Sequence, residues 1–242
     1  MASSAARLPA HPTESGNVDG RPYLLWLPKT DPPWPAMLIL HGAGSQKGNH
    51  ADFARACVGR GWAALAYDQR GHGEAEDEMG PAALADVVRM ARFLAERDEV
   101  DRRRVCVRGS SLGGLLAIHA AATSPQIAAV IAICPASEEH LIRGLRASEL
   151  DFRAGERARV ALAAWLAEHD LREAVELVGA KPLFISHARG DERIPYTWSE
   201  ELYARAREPR KLVVVAGGHH RSIQHDAELQ GESLRWIERR LR

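Results

Sequence analysis

Ser111 is the residue of this chain whose surroundings point most directly to chemistry. It sits at the centre of Gly109-Ser110-Ser111-Leu112-Gly113, a Gly-x-Ser-x-Gly spacing. The apolar run Arg104-Val105-Cys106-Val107 precedes it, and a helix-type run from Leu115 to Ala122 follows. A sharp strand-to-helix turn of this kind holds its serine in a strained backbone conformation. The flanking glycines are needed because no Cβ is tolerated where strand and helix approach so closely. The Leu112 N–H then points at the same spot from the start of the helix. Without its flanks the motif reads as an ordinary glycine-rich loop; with them it reads as a nucleophile.

A serine hydroxyl at neutral pH needs a base to take its proton. The loop Gly217-Gly218-His219-His220-Arg221 follows the last apolar run. Histidine titrates near physiological pH, and either His219 or His220 could serve. The imidazole in turn needs a carboxylate to orient it. Gly190-Asp191-Glu192-Arg193-Ile194-Pro195 offers Asp191, which taken alone is equally a helix cap, while Glu192 reads as a solvated charge. A further loop, His41-Gly42-Ala43-Gly44, would bring the Ala43 N–H beside that of Leu112, and two such donors suit a developing oxyanion.

The elements that must position these loops alternate along the chain. Apolar runs at Pro22–Leu27, Ala36–Leu40, Trp62–Tyr67, Ile127–Cys134, Leu183–His187 and Leu212–Ala216 read as strands, the first near a sheet edge. Helical spacing appears near Ala51–Gly59, over Pro81–Ala95, from Pro195 to Arg207, and at the C-terminal end. This alternation predicts an α/β fold: a mainly parallel central sheet with helices on both faces. Sites in such sheets gather beyond the carboxyl ends of the strands, where all four loops fall. Residues 137–179 break the pattern, being helical by periodicity with no strand among them.

Taken together, these motifs and Asp68-Gln69-Arg70-Gly71-His72-Gly73 resemble the α/β-hydrolase family. The resemblance runs from Tyr23 to Leu241, and the chain order Ser, Asp, His is the one that fold uses. Val100-Asp101-Arg102-Arg103-Arg104-Val105 ahead of the serine looks most like the dienelactone hydrolase and prolyl-oligopeptidase branch. Dienelactone hydrolases commonly carry Cys where this chain has Ser111. The resemblance implies catalytic Ser111, Asp191 and His220, His219 as the alternative base, and backbone oxyanion donors at Ala43 and Leu112. It assigns Asp68, Arg70 and His72 structural roles, with pocket lining as the alternative for His72. Residues 137–179 fall where the family often inserts a short helical cap, the alternative being helices that pack on the sheet's edge. His187 reads as a strand-end residue, and His225 and Asp226 as the start of the last helix.

Composition bounds the partners. Lys+Arg and Asp+Glu balance at 32 each, so no net charge favours nucleic acid or an anionic membrane. No apolar run reaches the roughly 20 residues that a membrane span needs. Hydrophobic residues are 45% of the chain, enough for one large domain over residues 18–242. Residues 1–17 read as a flexible arm without a secretory signal. Cys57, Cys106 and Cys134 lack metal-ligand spacing and read as free thiols in a reducing cytoplasm. The expected activity is a serine carboxylesterase acting on small to medium esters, with no metal or organic cofactor. Peptidase (acylaminoacyl-peptidase-like) and thioesterase activities are the enzymatic alternatives, and a non-catalytic binding protein on the same fold is the third. Composition says nothing of oligomeric state.

Overall fold

Short apolar strands and amphipathic helices alternate through the computed structural model, which describes residues 11–241. In chain order they are β1 (Glu14–Val18), β2 (Arg21–Trp26), β3 (Trp34–Leu40), α1 (Ala51–Val58), β4 (Ala63–Tyr67) and α2 (Ala83–Ala95). Then come β5 (Val100–Ser110), α3 (Leu112–Thr123), β6 (Ile127–Ile133), α4 (Glu138–Ala147), α5 (Glu156–Glu168) and α6 (Leu171–Leu177). The chain closes with β7 (Leu183–Ala188), α7 (Tyr196–Arg205), β8 (Arg210–Val215) and α8 (Ala227–Glu238). One eight-stranded sheet results, in the order β1-β2-β4-β3-β5-β6-β7-β8. Pairing is antiparallel from β1 through β2 to β4 and parallel from β4 to β8.

The side-chain period of two explains the layering. In β3, Ala36, Leu38 and Leu40 enter one core, and Met37 and Ile39 enter the other. The first core lies under α2, α3, α6 and α7, and the second under α1 and α8. Such burial on both faces is why the strands read as continuous apolar runs. Helix α3 is buried from Leu112 through Ala121, since α2 and α6 flank it and the sheet lies beneath. It therefore shows no amphipathic stripe.

Two expectations change. Glu14–Val18 is a paired edge strand, so the flexible arm expected over residues 1–17 does not extend that far; residues 1–10 lie outside the described residues. Consequently β2 is one strand in from the edge. The helical stretch 137–179 also divides: α4 packs with α5, whereas α6 packs against α3 and α7 on the face of the sheet.

A buried ion network ties β2 to the loop after β4. Arg21 is fully buried and faces Asp77 and Asp86, with Nη1 3.5 Å from Asp86 Oδ2. Asp86, on α2, also receives Arg70 Nε at 2.6 Å and Arg89 Nη1 at 2.9 Å. Removing one partner of a buried pair leaves its charge uncompensated, at about 3–5 kcal/mol. Because Asp77 remains beside Arg21, Asp86→Ala is expected to lower stability by about 3 kcal/mol, the low end of that range. Urea unfolding followed by circular dichroism measures the change.

Candidate active site

The turn after β5 is built by backbone contacts. A Cβ on Gly109 would fall on the Gly113 carbonyl, and one on Gly113 would lie 2.6 Å from the carbonyl oxygens of Leu40 and His41. Strand, helix and the loop after β3 meet there with no room for a methyl group. Ser111 sits between them at φ 53° and ψ −118°, a conformation unfavourable for a residue with a Cβ. It persists because neighbours over-determine it. The Ser111 N–H donates to Ile133 at 2.9 Å, and its carbonyl accepts from Gly114, Leu115 and Ala136.

His41-Gly42-Ala43-Gly44 lies against this turn, with Gly42 close above Ser110 and Ser111. His41 is fully buried and anchors the loop. Its Nε2 accepts from the Gln69 N–H at 3.0 Å, so the proton is on Nδ1, which donates to the Gly42 carbonyl at 2.9 Å. Burial, reinforced by nearby His72, pushes its pKa down to about 3, which keeps the ring neutral. The Gln69 side chain donates to the His41 carbonyl at 2.5 Å. Asp68 accepts from Lys47 Nζ at 2.7 Å and from the Lys47 and Glu74 N–H groups. The 68–73 loop thus braces the His41 loop. His72 does not line the cavity at Ser111; it faces an adjoining depression with Phe152.

Asp191 and His220, which the family resemblance pairs, lie side by side. His220 Nδ1 donates to Asp191 Oδ2 at 2.7 Å. The other carboxylate oxygen, Oδ1, accepts the Arg193 and Ile194 N–H groups, both at 2.9 Å. That closes a local turn, and the N-cap of α7 is Pro195, so Asp191 is not a helix cap. His187 brings a further donor that its place at a strand end does not reveal. Its Nε2 lies 3.1 Å from Asp191 Oδ2 and 3.0 Å from the Ile194 carbonyl, so the proton sits on Nε2, and Nδ1 accepts from Ser199 Oγ at 2.7 Å. Burial of Asp191 opposes its charge, but the bonds from His187, His220 and the Ile194 N–H outweigh that. They hold the carboxyl well below the usual carboxylate range.

His220 is held from its backbone as well, through an N–H donated to Glu192 Oε2 at 3.1 Å. The Glu192 charge is solvated as its sequence position suggests, yet it pins the loop. His219 is exposed and turned away: its N–H bonds Ser222 Oγ, and Arg221 N–H reaches its Nδ1. Beyond His220, the fully buried Arg108 on β5 donates to the Gln224 carbonyl at 2.7 Å and to His50 Nδ1 at 3.2 Å. This guanidinium connects the strand below Ser111 to the loop that carries His220.

Ser111 and His220 line one cavity of about 200 Å³, together with Ala43. His140 and Leu141 from α4 and Leu150 after it form another wall, so the front of residues 137–179 stands over Ser111. The Leu112 N–H is among the donors that a helix start leaves without an intrahelical acceptor. Among the described residues, one cluster has metal-ligand proximity: Cys134, Asp191 and His220, with donor atoms within 4.8 Å. Asp191 Oδ2 already serves two histidines, and burial pushes the Cys134 thiol pKa up, away from the thiolate a metal needs. The cluster is a hydrogen-bonded support.

The Asp191 environment makes a prediction. A carboxyl with its folded pKa depressed below the ordinary value of about 3.9 stabilises the fold above that pH and loses the effect as pH falls. The urea midpoint of the wild type is expected to drop more steeply between pH 5 and 3 than that of Asp191→Asn.

Residues 31–154, just over half of the chain, match the family described as serine aminopeptidase, S33 (Hydrolase_4). The uncharacterized protein Rv2307c of Mycobacterium tuberculosis (strain ATCC 25618 / H37Rv) is 28% identical over 205 residues, spanning 83% of this chain and 68% of that protein. The crystal structure of 2,6-dihydroxy-pseudo-oxynicotine hydrolase superposes with a TM-score of 0.75 at 23% identity, over 93% of this chain and 66% of that one. The esterase domain of a Rhodothermus marinus protein gives a TM-score of 0.68 at 23% identity, over 90% and 92%. At these identities the two structures attest the fold. Fold and family match together make the chain a hydrolase of the α/β-hydrolase superfamily, and it belongs to the serine aminopeptidase S33 family.

Proposed function

We propose that the protein is a carboxylesterase that works through an acyl-enzyme on Ser111. The observation that carries this reading is the 2.7 Å Asp191–His220 pair facing the same cavity as Ser111. With Nδ1–H committed to Asp191, the Nε2 of His220 is left as an acceptor. It takes the Ser111 proton as Oγ attacks the ester carbonyl carbon, and Asp191 stabilises the imidazolium that forms. The Ala43 and Leu112 N–H groups receive the developing oxyanion. Collapse of the adduct returns the proton to the departing alkoxide. Water then attacks the acyl-enzyme with His220 again as base, giving the acid and free Ser111.

A cavity of about 200 Å³ is below the roughly 300–1,000 Å³ of sites for drug-sized ligands, which favours a small ester. The α4 wall, with Leu141 and Leu150, would shield the reacting carbonyl from water as a partial cover. The family description raises an aminopeptidase as the second reading. Binding a substrate ammonium calls for a carboxylate, and none lines this cavity among the described residues. That favours the ester.

A fluorophosphonate probe is expected to label the wild type and not Ser111→Ala; equal labelling of both would remove Ser111 as nucleophile. His220→Ala is expected to lower kcat by at least about 10³-fold, whereas His219→Ala stays within a few-fold. His187→Ala is expected to reduce kcat with little change in KM, because it acts through Asp191. Short-chain esters assayed beside aminoacyl amides and acyl thioesters test the substrate class.

A further inference from the structure

Arg193 and Arg221 stand at the rim of the cavity, and His140 and His225 line it, while no Asp or Glu does so among the described residues. The chain as a whole is balanced at 32 acidic and 32 basic residues, so this is local placement and not overall charge. Carboxylates next to the lining residues are already engaged: Asp191 Oδ2 is bonded by His220 at 2.7 Å and Asp52 Oδ2 by His225 at 2.9 Å. Glu192 Oε1 lies 3.9 Å from Arg193 Nε, and Asp151 approaches Gly44 beside the Arg221 guanidinium. Neither Glu192 nor Asp151 lines the cavity.

Two further features add to this. Below the cavity, Arg108 is fully buried, stacks on Phe53, and spends its bonds on neutral partners, His50 and the Gln224 carbonyl. A buried cation without a bonded carboxylate adds positive potential where screening is weakest. In the cavity wall, Ser110 is 5% exposed and its Oγ has no hydrogen-bond partner. A buried hydroxyl in that state is unfavourable unless a ligand completes it.

We propose that the substrate ester carries a carboxylate within a few bonds of the scissile carbonyl, received by Arg193 and Arg221 with Ser110 Oγ as a further donor. The inference rests on the Ser111 esterase reading and adds the charge of its substrate. The carboxylate belongs either to the acid side, as in the half-ester of a short dicarboxylic acid, or to the leaving alcohol. Guanidinium groups suit it because their fork of donors matches a carboxylate in two parallel bonds.

Matched esters of similar size separate the possibilities in a pH-stat. Monomethyl succinate against methyl pentanoate tests the acid side; O-butyrylglycolate against propyl butyrate tests the alcohol side. At least one charged ester is expected to exceed its neutral match by about tenfold in kcat/KM, through a lower KM. That is the low end for a hydrogen bond to a charged group, as suits exposed arginines. The ratio within the pair that shows this preference is expected to fall toward unity in Arg193→Gln or Arg221→Gln. In the wild type it is also expected to shrink as ionic strength rises from about 0.05 to 0.5 M, a measurement that needs no variant. Fluorophosphonate labelling of Ser111 with neutral esters cleaved as well as or better than charged ones overturns the proposal and leaves the esterase reading standing. Absence of labelling and of hydrolysis overturns both.

Discussion

The site depends on the approach of three backbone segments to a distance that only glycine allows. The end of β3, the turn after β5 and the first residues of α3 meet where a Cβ on Gly113 would press on the Leu40 and His41 carbonyls. That contact places the His41 loop over Ser111 and aims the start of α3 at the same point. The strained Ser111 conformation is offset by four backbone hydrogen bonds, which are more than a free turn could supply. Large buried residues on β3 and β5 keep the segments from separating, so the core of the sheet and the geometry of the turn are one problem.

Around that turn, ionisable groups are sorted by their partners. Asp191 is buried yet kept ionised, since Oδ1 closes its own turn and Oδ2 serves His187 and His220. His41 is buried and kept neutral by the same desolvation, with one nitrogen accepting from Gln69 and the other donating to Gly42. The difference lies in what each group meets: donors converge on Asp191, whereas His41 meets one of each kind. One histidine thus stiffens a loop, while His220 keeps Nε2 open toward the cavity.

The supporting groups come from elements remote in the chain. Arg108 reaches from β5 to Gln224, Gln69 from the end of β4 to the His41 carbonyl, and Glu192 to the His220 N–H. Each holds the backbone of a loop that lines the cavity or flanks it. The ion network of Arg21, Arg70 and Asp86 does the same for the 68–73 loop. Loops at the carboxyl edge of a parallel sheet have no ladder of their own, so their precision comes from such cross-links.

By itself the sequence determined the fold class, most element positions and the residues that meet at the site. Apolar runs of strand length between helical periods leave few arrangements, and the glycines around Ser111 tolerate little besides a tight strand-to-helix turn. Residue types and loop position alone left His219 and His220 both open, because adjacent residues share a loop and differ only in direction. They also left Asp191 open as orienting acid or cap; only the family resemblance favoured His220 and Asp191. In the tertiary structure His220 lines the cavity with Ser111 and bonds Asp191 Oδ2, while His219 lies exposed, a difference of direction that no spacing carries. The edge strand Glu14–Val18 was hidden because its polar, half-exposed residues carry no apolar pattern and gain their order from pairing with β2. His187 was hidden for a related reason. Its role is a contact with a side chain from the next loop, and contact across a fold has no period in sequence.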